Sequence, residues 1–535
     1  MKKCLSLLLW ISIFVSVSWG QTAPFELSLQ PIQIGGLPGL QSYAYGQANG
    51  KWLLVGGRLD GLHRRQPFAS FDVQGNNQTI LVVDPVSRQQ WSRSLDGLPV
   101  AIQEQLSSTN MEFHQEGDFL YLIGGYGYHN ASASRKTFAN LTALQLPGLV
   151  DAIISGAEIG GYFRQISDEQ FAVTGGHLKK INQTWCLVGG NRFDGNYNPN
   201  GNPTYTQVYT NAVRKFRLVD DGTNIQITHL PGLTDPNLLH RRDYNAVPQI
   251  LPDGREGITA FSGVFQPTVN LPFLNSVTID STGHQENPGF QQFYNHYHCA
   301  VLPVYSGQNK EMHTLFFGGI AQFYDSAGVL VQDNNVPFVR TIARITRDSL
   351  GVMTEYKLPQ EMPGFLGAGS EFIRIPNLPT YANGVIKLDE LSADTQLVGY
   401  IFGGIRSSAP NIFFSNTGTQ SDANNQLFAV RLIRNQVTSA HTLNSQSKSS
   451  LKLRVSPNPN QGIFRVSYHL DKASSVRLLV LDSQGREILN QHYAKVKPGN
   501  HEIEYDAIPS NGGKFLYLKL ETQDETASRK IILRR

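Results

Sequence analysis

The chain has 535 residues, 40% of them hydrophobic and only 16% charged, with 50 glycines and 27 prolines. Few charges, many turn formers and abundant Phe and Tyr exclude a disordered chain or a coiled coil and favour an all-β globular protein. A formal net charge of +3 with no dense basic block argues against a nucleic-acid partner.

In chain order, the N-terminus predicts an export signal at 1–20. Lys2-Lys3 is its positive region, Leu5 to Val17 its apolar core, and Ser18-Trp19-Gly20 sets small residues for cleavage before Gln21. Cys4 precedes the apolar core, which argues against a lipoprotein anchor, and no later segment reads as a membrane span. Cys186 and Cys299 remain after cleavage, in different parts of the chain, and are expected to be buried free thiols.

Between residues 21 and 435 one pattern recurs six times: a short apolar run ending in a pair of small residues. The pairs are Gly56-Gly57, Gly124-Gly125, Gly189-Gly190, Ser262-Gly263, Gly318-Gly319 and Gly403-Gly404. Such runs suit strands buried on both faces, and a small pair at the end implies a sharp exit or a close backbone approach. Another strand-like segment precedes each run, at 42–45, 111–114, 173–177, 244–247, 297–301 and 370–373. Further strands follow, as at Ile80–Asp84, Ala212–Leu218, Ser276–Asp280 and Leu427–Leu432. Pro/Gly turns such as Leu146-Pro-Gly148 and Leu230-Pro-Gly232 are expected to close units. The sixth unit runs out after three strands, while an orphan strand, Leu27 to Ile34, stands at the N-terminus. That strand is expected to complete the sixth unit, leaving no open edge.

Six units of about four strands, with Gly-Gly ending the second, resemble the Kelch family of β-propellers over residues 25–435. The units exceed the usual Kelch length of about 50 residues. Trp91 is the one Trp that fits the family's outer-strand landmarks. The resemblance implies a six-bladed propeller closed by its N-terminal strand.

Residues 436–450 read as a polar linker, and 451–535 as a small β-sandwich. The opening Pro457-Asn458-Pro459, the following Gly462 and Phe464, the strand running into Asp482-x-x-Gly485 and the basic last strand resemble the C-terminal sorting domain of the type IX (Por) secretion system of Bacteroidota. Asn511 to Tyr517 is irregular for that family. The resemblance implies engagement of the type IX machinery, transport across the outer membrane, removal of the domain, and release or attachment at the cell surface.

In a propeller the inner strands line a channel and the loops beyond them form a rim, where ligands tend to sit. Inner strands offer His114, His177, Tyr244, His298 and Glu371, with Glu112 and Asn245 nearby. Loops after the doublets offer Arg58, His63, Tyr126, Asn191, Arg192 and Arg406. Arg forks onto carboxylates and aromatic rings stack on sugars, so these residues suit a glycan, an acidic one included. The three His lie in different units, so no metal centre and no cofactor are expected. Asp194 to Gly201 lacks the carboxylates and the closing Glu of a calcium loop and reads as a polar turn. No nucleophile elbow, paired-His zinc motif or Walker loop is present.

The leading expectation is a secreted or surface propeller that binds a glycan or a protein. The alternative is a sugar-active enzyme, since six-bladed Kelch-like relatives include a sialic-acid mutarotase; His and Glu would then serve as acid and base. A surface scaffold is the third reading.

Overall fold

A computed structural model describes residues 24–434 except 67–68, 199, 201–203 and 327, and residues 451–533 except 459, 461–462, 483–486, 507–514 and 523–524. The expected signal at 1–20, the linker at 436–450 and several sorting-domain landmarks (Pro459, Gly462, Gly485 and 511–514) lie outside the described residues. The described chain divides into two compact units, residues 26–433 and the segment after them.

The first unit is all-β in its sheets, which are antiparallel meanders. The first holds Ala44–Ala48, Lys51–Val55, Thr79–Asp84 and Gln89–Ser94; the second Glu112–Glu116, Phe119–Ile123, Asn140–Gln145 and Phe163–Ser167. The third runs from His177–Ile181 through Thr184–Val188 and Ala212–Asp220 to Ile225–Thr234. The fourth holds Asn245–Ile250, Glu256–Phe261, Ser276–Ile279 and His284–Glu286. The fifth has Val301–Ser306, Glu311–Phe317, Thr341–Arg347 and Met353–Glu361, with the short Ile386–Lys387 parallel to its first strand. In the last sheet Ser370–Arg374, Thr395–Gly403 and Leu427–Arg434 are followed outward by Phe25–Ile32. The orphan N-terminal strand is thus paired with the C-terminal end of the unit.

Each doublet run is the second strand of its sheet, and the doublet itself both turns and docks. Both residues of each doublet have positive φ. The second residue's N–H then donates to a carbonyl at the start of the next sheet: Gly57 to Ser108, Gly125 to Val173, Gly190 to Arg241, Gly263 to His296, Gly319 to Leu366 and Gly404 to Leu40, at 2.7–3.2 Å. The sixth bond returns to the first sheet. A second cycle lies just before the innermost strands. Asn110 N–H donates to the Ser42 carbonyl, Gly175 to Asn110, Asp243 to Gly175, His298 to Asp243, Gly369 to His298 and Ser42 to Gly369, at 2.8–3.3 Å. Apolar clusters fill the spaces between sheets. Trp52, Leu54 and Leu81 of the first sheet pack with Ile373, Tyr400 and Phe402 of the last. Sheets arranged around a common axis, first packed on last, make this unit a β-propeller.

Two turn expectations are corrected. Leu146-Pro-Gly148 opens a helix, Leu146–Ser155, inserted between the third and fourth strands of the second sheet. Proline is tolerated in a helix's first turn, and the Gln145 side chain caps the Gly148 N–H at 2.9 Å. Leu230-Pro-Gly232 lies within the outer strand Ile225–Thr234, where the register shifts between Val213 and Lys215. An outer strand has a free edge, so the missing proline N–H costs no ladder bond. Hairpins after four of the doublets (Tyr126–His129 with Ser134–Thr137, Asn191–Asn196 with Thr204–Tyr209, Phe323–Ser326 with Val329–Gln332, Ile405–Ser407 with Ser421–Ala423) account for the long, uneven repeat.

Glu355, on the outer strand of the fifth sheet, accepts the N–H groups of Phe293 at 2.6 Å and Tyr294 at 3.2 Å, in the segment leading to the channel residue His298. Desolvation pushes its carboxyl up to about 8. The folded chain therefore holds a proton that the unfolded chain releases, so this contribution to stability falls as pH rises from the ordinary glutamate range through about 8, and is flat above. Glu355→Gln should remove that slope, as urea midpoints at pH about 5 and about 8.5 would show.

In the second unit Arg454–Ser456, Ile463–Leu470 and Gly499–Asp506 form one sheet, and Glu487–Val496, Ser474–Asp482, Phe515–Glu521 and Thr526–Ile532 another. Alternate residues, among them Phe464, Val466, Leu478, Val480, Leu518 and Leu520, meet in one apolar cluster.

Candidate ligand site in the central channel

The innermost strands enclose a cavity of about 60 Å³, lined by His177, Lys179, His298, Glu371, Glu112 and Asp243 among others. This is below the roughly 150 Å³ that admits a benzene ring, so it suits a few waters or the polar head of a larger ligand.

The hydrogen-bond cycle positions the site. Five of its six members, Ser42, Asn110, Gly175, Asp243 and Gly369, have left-handed backbones, a conformation that Gly, Asn and Asp reach more easily than other residues. His298 is the sixth; with both main-chain groups fixed, its ring is placed with little freedom. His298 Nε2 stands 3.0 Å from Glu371 Oε1, inside ion-pair range but without hydrogen-bond geometry, which leaves that buried oxygen without a hydrogen bond. His177 packs edge-on against His298 at 5.4 Å and Tyr244 at 5.0 Å, and its Nε2 donates to the Tyr244 carbonyl at 2.6 Å. Burial, aided by Lys179, drives His177 well below the usual histidine range, so the ring is neutral and Nδ1 is left as an acceptor.

The carboxylates differ in state. Glu112 Oε1 accepts the Gly176 N–H at 2.8 Å while Oε2 has no partner. Burial raises its pKa well above the usual carboxylate range, which favours the protonated, neutral acid. Asp243 accepts from Asn110 Nδ2 at 3.1 Å and pairs with Arg242, whose Nε donates to the Tyr209 hydroxyl at 3.0 Å. A neutral acid, a neutral imidazole and an imidazole–carboxylate pair within one cavity can both orient a polar ligand and exchange protons with it.

Of the eleven candidate residues, His177, Tyr244, His298 and Glu371 meet in this cavity; Tyr244 contributes structure, its hydroxyl donating to the Val188 carbonyl at 2.7 Å. The others lie elsewhere. His114 packs on Trp185 and lies 3.8 Å from Glu116, so the three histidines do not converge. Arg58 is 2% exposed and is occupied by Asp60, by Asn76 Oδ1 at 2.7 Å and by the Asp72 carbonyl at 2.9 Å. Arg192 bridges Glu169 and Asp194, and Arg406 forks onto Asp422 across its hairpin. Asn191 is buried and donates to the Thr174 carbonyl. His63 stacks on Phe71 at 4.6 Å beside Tyr197, and burial lowers its pKa to about 4. Tyr126 lies under the next hairpin, its hydroxyl donating to Gly195 O at 2.7 Å.

Sequence reasoning missed Lys179, Asp243 and Asn110. Lys179 follows His177 by two residues and so shares its strand face. Asn110 and Asp243 belong to the Ser/Asn/Gly/Asp set that precedes the inner strands, a signal present in the chain but hidden by variable spacing. Cys186 and Cys299 are free and buried, as expected; burial pushes the Cys299 thiol up to about 12. Among the described residues no three His, Cys, Asp or Glu side chains come together as a metal would require.

Residues 454–534 match the family described as a secretion system C-terminal sorting domain. Such a tail implies export by the type IX system, contact with its machinery, and a secreted or surface location. No helix among the described residues is long and apolar enough to cross a membrane. No curated protein matches the chain. Among solved structures, YjhT is similar at 11% identity and a TM-score of 0.39, over 74% of this chain and 97% of its own. A glycoside hydrolase family 43 arabinoxylan arabinofuranohydrolase from Bacillus subtilis is similar at 11% identity and a TM-score of 0.27, over 93% and 96%. Dimeric latent PorU from Porphyromonas gingivalis shows 10% identity and a TM-score of 0.13, over 72% and 36%.

Proposed function

We propose that this is an exported, six-bladed Kelch-like propeller that binds the polar part of a glycan or surface-protein ligand at its channel, followed by a C-terminal β-sandwich removed on export. In this reading residues 1–20 are the cleaved signal, 21–435 the propeller, 436–450 a linker and 451–535 the sorting domain. Two six-membered cycles of main-chain hydrogen bonds support the blade count. The observation that carries the binding reading is the convergence of His177, His298, Glu371, Glu112 and Asp243 on one cavity while Arg192 and Arg406 on the loops are tied into ion pairs. The mature chain should bind members of a glycan or surface-protein array, and Glu371→Gln should weaken that binding at least about ten-fold by removing a desolvated charge. Silence across both arrays, or a Gln variant that binds unchanged, would sink the reading.

Sugar chemistry is the second reading, favoured by the 3.0 Å approach of His298 to Glu371 beside a neutral His177. It requires turnover of a reducing sugar that His298→Asn abolishes without loss of the fold.

A further inference from the structure

The inner strand of the third sheet carries two consecutive lysines with opposite surroundings. Lys180 Nζ is 2.6 Å from Glu116 Oε1 and lies over the Trp185 ring at 5.2 Å. Lys179 faces the other way, as alternation on a strand demands, and lines the channel cavity with His177, His298 and Glu371. Among the described residues its Nζ makes no hydrogen bond and no ion pair closer than 4.0 Å; Glu371 is the one carboxylate near enough to favour its charge. A lysine without a bound counter-ion, in a partly desolvated cavity, is the arrangement that makes an amine nucleophilic.

We propose that Lys179 is a reactive amine that condenses with a small aldehyde or ketone, or with the open-chain carbonyl end of a larger ligand reaching in from the channel mouth. The Nζ lone pair attacks the carbonyl carbon and the C=O π pair moves to oxygen; the proton the nitrogen then sheds passes through water to Glu371 and on to that oxygen, giving a neutral carbinolamine. The second nitrogen proton follows the same route to the hydroxyl, which leaves as water as the C=N bond forms, with His298 beside the carboxylate at 3.0 Å. No oxidant or reductant is needed, and the step reverses by hydrolysis. Burial lowers the Lys179 ammonium pKa, which raises the share of free amine. The cavity volume limits what enters to about two or three heavy atoms in a row, as a chain end and not a ring.

The inference rests on the channel being the ligand site, not on which ligand is native. Its test uses the whole mature chain, glycolaldehyde as probe and cyanoborohydride to trap the imine at neutral pH, read by peptide mass spectrometry. Lys179 should be modified at least about ten-fold faster than Lys180, the paired neighbour serving as internal reference. Lys179→Arg should lose the adduct at that peptide, and Glu371→Gln should slow it with Lys180 unaffected. Equal modification of the two lysines, or labelling confined to exposed lysines elsewhere, overturns the proposal, and this comparison holds in the wild-type chain even if a variant fails to fold. Selective labelling of Lys179 in a chain that binds nothing on the arrays would uphold the reactive amine and overturn the glycan reading; array binding without labelling would do the reverse.

Discussion

Gly124→Ala should destabilise the propeller by about 3 kcal/mol or more, whereas Gly254→Ala should cost only about 1–2 kcal/mol. Both glycines have positive φ, +66° and +86°, so each alanine carries the left-handed penalty of roughly 1–2 kcal/mol. They differ in what the added Cβ meets. At Gly254 nothing lies within 4 Å; at Gly124 the Cβ would sit 1.9 Å from the carbonyl oxygen of Val173, main chain of the next sheet. Main chain cannot swing aside as a side chain can, so the two sheets must separate locally, and overpacking of that kind adds about 1–3 kcal/mol. The Gly125 N–H to Val173 bond at 2.9 Å is strained by the same movement. Thermal unfolding of the two variants beside the wild type measures the difference. Equal losses would mean that the doublet only turns the chain; a larger loss at Gly124 means that it also docks one sheet on the next. Gly403, where a Cβ would stand 2.2 Å from the Leu40 carbonyl, should behave like Gly124 and would weaken the contact between last and first sheets.

That dual role explains why the architecture was legible in the sequence and the site only partly. A doublet is required wherever two sheets meet, so it recurs, with Ser262 the single worn member; its hydroxyl donates to the Phe273 carbonyl. The strand preceding the doublet was legible in four sheets, because it must pair in register, as Asn245 does with Phe261 and Ser370 with Gly403. The segments expected at 173–177 and 297–301 are loop that leads into strands beginning only at His177 and Val301. Channel chemistry follows no such period. His177 and Glu371 could be placed because they lie on those strands and His298 because it stands three residues before one, but His114 has the same apparent position and turns to Trp185. Arginines in the loops read as ligand-holding groups, yet Arg58, Arg192 and Arg406 each have an Asp two to sixteen residues away that occupies them. Nearby carboxylates in sequence were the available warning. Lys179 was separable from Lys180 only by strand alternation, which puts it on the face of His177 two residues earlier.

Deletion of residues 24–32 should leave the channel intact and make the protein self-associate. Phe25–Ile32 is the outermost strand of the last sheet, and of its side chains only Phe25 is buried. Its loss therefore removes little apolar contact. It removes about four ladder hydrogen bonds, worth roughly 2–6 kcal/mol together at about 0.5–1.5 kcal/mol each. Leu427–Arg434 then becomes the edge, a strand with five consecutive or near-consecutive buried apolar residues, Leu427, Phe428, Ala429, Val430 and Leu432. Unpaired and apolar, such an edge is a template for another chain. Contact between the first and last sheets does not depend on the deleted strand, since Ser42 N–H still donates to Gly369, Gly404 N–H to Leu40, and Trp52 still packs on Tyr400 with ring centroids 5.2 Å apart. Size-exclusion chromatography should thus show oligomers that bind the same ligands as the wild type. Gln30→Ala, which deletes only the exposed 2.7 Å bond from Arg431, should stay monodisperse. A monodisperse deletion variant with unchanged unfolding would mean that the strand decorates the last sheet and that the two hydrogen-bond cycles alone close the propeller. Oligomers with an intact channel would assign the strand to edge protection, leaving closure to the glycine doublets and the ring before the inner strands.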